Sequence, residues 1–163
     1  IRERLTTKQP RSQVILLSGI ADLQDQIPRL KALRADDEDY AAIADDDDEQ
    51  AFLIVRGWQA RLALARLGSQ EDIQHCIQKI ETSPDLVVRV TYLLQQYDYI
   101  RQPDTIKRLQ YYLEKDDLID GRTPCGVYAR DILVDIVEGF PINADLATAR
   151  AWMQAQTEFK IKR

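Results

Sequence analysis

The sequence predicts an all-α fold, an α–α superhelix of antiparallel helical hairpins stacked in chain order. Three observations carry that expectation. Apolar residues recur at spacings of three and four almost throughout, no stretch alternates as a strand would, and the connections between periodic stretches are short.

Taken in order, Leu16, Ile20, Leu23 and Ile27 share one helical stripe and predict a helix over 12–26, followed by one over 28–35. A helix over 48–67 ends at Gly68, a residue suited to the left-handed position after a C-terminus. Ile73, Cys76, Ile77 and Ile80 place the next helix at 70–81, where Ser69 and Asp72 have the spacing of a capping box. Leu86, Val90, Leu93, Leu94 and Tyr97 predict a helix over 84–100, opened by Ser83 as cap and Pro84 as first residue. Gln102-Pro103-Asp104 opens a helix over 103–115. Ala129, Ile132, Leu133, Ile136 and Val137 give one over 125–138, closed by Gly139, and Asn143-Ala144-Asp145 opens the last, over 144–157. Ile73, Ile77, Val90, Leu93, Leu94, Ile132, Leu133 and Ile136 are the expected core. The hairpins 59–73, 89–106 and 130–146 repeat with a period of about 30–40 residues, which is solenoid spacing.

Ser83-Pro84-Asp85-Leu86-Val87-Val88-Arg89, preceded by Leu67-Gly68-Ser69-Gln70-Glu71-Asp72-Ile73, resembles the bacterial HEAT-repeat consensus. There, Asp-Pro-x-x-x-Val-Arg leads into one helix and Leu-Gly-Asp-x-x-Ala-Ile into the next. The likeness covers 56–115 and, in part, 125–157; residues 1–45 carry no recognisable repeat. Tyr92, Gln95 and Gln96 stand where alanines are usual, and the turn 98–102 and the link 116–124 are longer than the pattern. The resemblance implies a right-handed superhelical scaffold that binds other proteins. The expected organisation is an N-terminal cap and acidic linker over 1–47 and a repeat body over 48–163, in one compact domain.

Composition narrows function by exclusion. A chain of 163 residues is about one domain, and its net charge of −5 argues against a nucleic-acid partner, whose phosphates call for clustered positive charge. No apolar run approaches the ~20 residues that cross a bilayer, so no membrane partner is expected. One histidine and two cysteines cannot supply a four-ligand Cys/His zinc site, and no metal or cofactor is expected. Cys76 and Cys125 leave one disulfide possible but not required. The chain opens at Ile1, so a preceding segment is expected, and the compartment stays open between cytoplasmic and exported.

Four groups of residues bear on function. Between 36 and 49 lie nine acids and no base, among them Asp45, Asp46, Asp47 and Asp48; without them the remaining chain would carry +4. Such a run docks a basic partner, gathers divalent cations, folds back over a basic face, or is a solvated linker. Arg56, Arg61, Arg66, Arg89, Arg101, Arg108 and Arg130 form a second group. They are structural partners of acids, with Asp85 and Arg89 at helical spacing, or a basic stripe that holds an acidic peptide. Tyr92, Tyr97, Tyr99, Tyr111 and Tyr112, with Trp58 and Trp152, are inter-repeat packing or a binding platform. Adjacent Tyr111 and Tyr112 must point to different sides. His75 and Cys76, adjacent on a helix, point about 100° apart and cannot activate one another. Cys76 belongs to the apolar stripe, and Cys125 opens a helix, where a thiolate gains some stabilisation.

The function these features imply is a non-enzymatic repeat scaffold for another protein or a peptide. Arg61, Arg89, Arg101, Arg108, Tyr92, Tyr112 and the four aspartates 45–48 are its candidate binding residues. The alternative is an inhibitor, assembly or immunity-type protein that uses the acidic segment. Enzymes on HEAT-like scaffolds fit less well. Deoxyhypusine hydroxylases hold iron with His-Glu pairs, alkyl-DNA glycosylases need a basic cleft, and no residue set here points to a phycobilin lyase.

Overall fold

Apolar spacing of three and four residues winds most of the described chain into helices. In a computed structural model that describes residues 1–7, 10–35 and 55–162, 67% of the described residues are helical. They divide into two compact units, Ile1–Gln78 and Lys79–Arg163, with the division inside a helix. The boundary expected near residue 47 lies outside the described residues.

In the N-terminal unit, a single turn α1 (Arg2–Leu5) leads to α2 (Ser12–Ile20). The helix expected to continue to residue 26 stops early, because Asp22 takes the left-handed conformation at φ +51°. The Leu23 amide then donates to the Ser18 carbonyl and the Asp22 amide to that of Gly19, the hydrogen-bond pair that usually closes a helix on glycine. After a 3₁₀ turn at Gln24–Gln26 comes α3 (Ile27–Ala35). Helix α4 (Arg56–Arg66) begins after an extended Val55, and residues 48–54 of the expected helix lie outside the described residues. Gly68, at φ +94°, closes it with the same pair of bonds, from Ser69 to Leu64 and from Gly68 to Ala65. Helices α2 and α3 pack on α4, and Leu5, Ile15, Leu30, Ala60, Ala63 and Leu64 form a core without solvent access. Helix α5 (Gln70–Glu81) matches the predicted span.

In the C-terminal unit the predicted helix 84–100 is broken into three pieces. It opens at α6 (Leu86–Val88), capped by Asp85, whose carboxylate accepts the Val87 and Val88 amides at 2.7 and 3.2 Å. The expected Ser83-Pro84 cap is therefore corrected: Asp85 competes better for those amides, and the Ser83 carbonyl serves Arg89. Arg89–Leu93 winds as a π turn, in which the Leu94 amide reaches back five residues to Arg89. Helix α7 (Gln95–Ile100) follows and ends on Arg101 at φ +50°. Helix α8 (Pro103–Leu113) has a reciprocal cap between Gln102 and Thr105.

The link 116–124, longer than the repeat pattern, holds a two-stranded antiparallel ladder, β1 (Leu118–Ile119) with β2 (Thr123–Pro124). Strands of two residues are too short to show alternation. Helix α9 (Cys125–Ile136) lies against α8 so closely that a Cβ on Gly126 would stand 2.7 Å from the Leu113 carbonyl oxygen. Helix α10 (Leu146–Ala155), capped by Asp145, packs on α8 and α9. Beyond it the chain returns along the end of α9, where the Glu138 amide donates to Lys160 and the Lys162 amide to Ile136. All eight residues expected in the core are buried. No helix among the described residues is long and apolar enough to cross a membrane.

Candidate functional site

Helix α5 ends at Glu81, and this carboxylate gathers the polar side chains of the C-terminal unit. The Tyr97 hydroxyl donates to one of its oxygens at 2.9 Å and the Tyr112 hydroxyl to the other at 2.7 Å. Both phenols are buried, because Tyr97 continues the stripe of Val90, Leu93 and Leu94 and Tyr112 that of Ile106 and Leu109. Burial first, and then the Glu81 charge and hydrogen bond, push the Tyr97 phenol far above its ordinary value. Tyr112 is raised by its burial and its bond to Glu81, with Arg89 opposing the shift. A general acid or base works best with a pKa near the operating pH, and both phenols are moved away from it. This cluster braces the unit.

Solvent-exposed side chains of the same unit offer a different chemistry. The π turn leaves Tyr92 51% exposed while Val90 and Leu93 are buried. On α8, Tyr111 is 52% exposed, with the Lys115 ammonium 4.7 Å from its ring centre. Arg108, also exposed, forms no side-chain hydrogen bond or ion pair among the described residues, although its charge reaches Tyr97. As expected for adjacent residues, Tyr111 faces outward and Tyr112 inward.

Arg61, Arg89, Arg101 and Arg130 are engaged in internal bonds. In the N-terminal unit Arg61 donates to Asp72 at 3.4 Å. Asp72 is fully buried and also accepts from Arg34 at 3.1 Å and from the Ser69 hydroxyl at 2.6 Å. Burial disfavours the Arg34 charge, and the bonds to Asp72 and Glu71 more than offset it, so its pKa is raised. In the C-terminal unit Arg89 donates to the Ser83 carbonyl through two nitrogens. The Asp85–Arg89 pairing that helical spacing suggests is thus corrected, since the Asp85 carboxylate is occupied as a cap. Arg101 holds Asp98 and the Lys162 carbonyl, and Arg130 holds Asp131 and the Ala144 carbonyl.

His75 is exposed beside Trp58, with ring centres 6.4 Å apart, while Cys76 is buried. Cys125 opens α9 as expected, yet its thiol is pushed up, by burial first and then by Asp117, so the expected thiolate stabilisation is overturned. Both cysteines are free thiols. Among the described residues no three His, Cys, Asp or Glu side chains stand together as metal ligands. Asp45, Asp46, Asp47 and Asp48 lie outside the described residues.

Sequence reasoning missed Glu81, Arg34 and the buried role of Asp72. The available signal was Asp72 itself, an acid beside Ile73 on the stripe that carries Cys76, Ile77 and Ile80. Compared with models of protein families, with curated proteins and with solved structures, the chain matches none.

Proposed function

We propose that the chain is a non-enzymatic helical scaffold that binds another protein or a peptide, as its HEAT-like resemblance implies. The exposure of Tyr92 and Tyr111 on elements that otherwise bury their apolar side chains carries this reading. A half-exposed tyrosine is a stiff, amphipathic contact that loses little entropy on binding and suits a protein interface. Arg108 adds a guanidinium whose planar fork matches a carboxylate, which favours an acidic segment as partner.

The experiment is a titration of the full chain with a fluorescent acidic peptide at low and high salt. Replacing Tyr92, Arg108 and Tyr111 by alanine weakens binding about tenfold or more, the loss of one interface hot spot. Replacing Asp45, Asp46, Asp47, Asp48 and Glu49 by serine or asparagine strengthens it, because five like charges leave the same chain. Affinity unchanged in the triple variant sinks the reading.

A further inference from the structure

A separate feature of the N-terminal unit points to a small anionic ligand. Arg4, Thr7, Arg11 and Val14 line a hollow of about 480 Å³ where α1 gives way to α2. Neither guanidinium makes a hydrogen bond or ion pair among the described residues, and both are exposed. Asp25 is held by Arg2 through two bonds of 2.9 and 3.1 Å, and Glu3 pairs with neither arginine. Among the described residues that line the hollow, two are cations and none is an acid, in a chain whose net charge is −5.

Hydrogen bonds anchor the described backbone on both walls of the hollow. Arg29 donates to the carbonyls of Leu5 at 3.3 Å and Thr7 at 2.8 Å, and the Thr7 hydroxyl donates to the Arg4 carbonyl at 3.0 Å. On the other wall, the Arg11 carbonyl accepts the Val14 and Ile15 amides, and Val14 is buried in the core of the unit. Both arginines thus leave anchored positions, so less ordering remains to oppose a ligand.

We propose that this hollow binds a phosphate monoester. Two guanidinium forks match the three terminal oxygens and the charge of about −1.5 to −2 that such a group carries near neutral pH. The volume lies within the range of about 300–1,000 Å³ usual for small-ligand pockets, and Val14 offers an apolar contact to the organic part. The shared chemistry comes from a small phosphorylated metabolite or from a phosphorylated side chain.

The test follows backbone amide and arginine side-chain NMR signals of the full chain. Ribose 5-phosphate, a phosphoserine peptide and the same peptide unphosphorylated are titrated in turn at constant ionic strength. The phosphorylated probes move the signals of Arg4, Thr7, Arg11 and Val14, and the unphosphorylated peptide does not. The exposed substitutions Arg4→Gln and Arg11→Gln each weaken the phosphorylated probes at least tenfold with the rest of the spectrum unchanged, and Arg11→Lys weakens them less. Tighter binding of the sugar phosphate assigns a metabolite, and tighter binding of the peptide assigns a phosphorylated protein. Equal shifts with and without the phosphoryl group, or affinity retained when both arginines are glutamine, overturn the proposal.

Discussion

The two units hold a carboxylate by opposite means. In the N-terminal unit Asp72 is fully buried and neutralised by the charges of Arg34 and Arg61, with the Ser69 hydroxyl as a further donor. In the C-terminal unit the half-buried Glu81 takes its two hydrogen bonds from neutral phenols. Charge in a low-dielectric interior is tolerated only when paired, so the deeper carboxylate has the charged partners. Glu81 keeps contact with solvent, and charge-assisted hydrogen bonds from Tyr97 and Tyr112 suffice. What differs is the event that breaks each cluster: loss of an ion in the first, loss of a phenolic proton in the second.

The largest expected effect is therefore in the N-terminal unit. Asp72→Ala leaves two largely buried guanidiniums without their counter-ion and costs about 3–5 kcal/mol. Urea unfolding measures the loss, and amide exchange locates it in residues of 1–78. An unchanged midpoint would mean that solvent already screens the cluster. Replacing Asp72, Arg34 and Arg61 together by apolar residues of similar volume restores most of the stability, since the desolvation cost disappears with the charges.

Smaller losses are expected around Glu81. Tyr97→Phe and Tyr112→Phe each remove one donor to a charged acceptor and cost about 1.5–3 kcal/mol, read from the same unfolding curves. Because the two phenols share one carboxylate, the double variant departs from the sum of the single ones.

The pH profile separates the units without mutation. Both phenols have folded-state pKa values raised above the ordinary tyrosine value of about 10. Their contribution is fully present below that pH and is lost as pH rises beyond it, because the unfolded chain releases the phenolic protons first. Amide exchange followed from pH 9 to 11 should show residues 79–162 losing protection before the described residues of 1–78. Simultaneous loss in both units would detach the alkaline transition from Tyr97 and Tyr112.

The smallest effect belongs to an exposed version of the guanidinium–carboxylate pair. Arg2, by its hydrogen bond first, lowers the Asp25 pKa to about 2. Arg2→Ala raises the Asp25 pKa toward the ordinary carboxylate range in an NMR titration, with the Gln26 bond still holding it down, and leaves the unfolding midpoint at neutral pH unchanged, because solvent screens the pair. A clear loss of stability would show that burial is not what separates this pair from the Asp72 cluster.

The helices were legible because their signals are local. The α5 stripe, the glycine stop at Gly68 and the Asp145 start all depend on residues within about one turn of one another. Local competition also explains most misses. Asp22 closed α2 in the manner of a glycine, Asp85 took the cap expected of Ser83-Pro84, and an extra residue per turn at Arg89–Leu93 left the buried stripe in place. Of the candidate site, the exposed Tyr92, Tyr111 and Arg108 were named from the sequence, but nothing there separated Arg108 from Arg61, Arg89 or Arg101.

By itself the sequence determined that this is an all-α chain, which residues enter its core, and that adjacent Tyr111 and Tyr112 part to opposite sides. Tertiary structure alone decided which polar side chains meet: Arg34 with Asp72 across 38 positions, and Tyr112 with Glu81 across 31. Helical periodicity is written into neighbouring residues by backbone hydrogen bonds four positions apart. A hydrogen bond between distant side chains needs atoms within about 3 Å of one another, and only the packing of whole helices sets that distance.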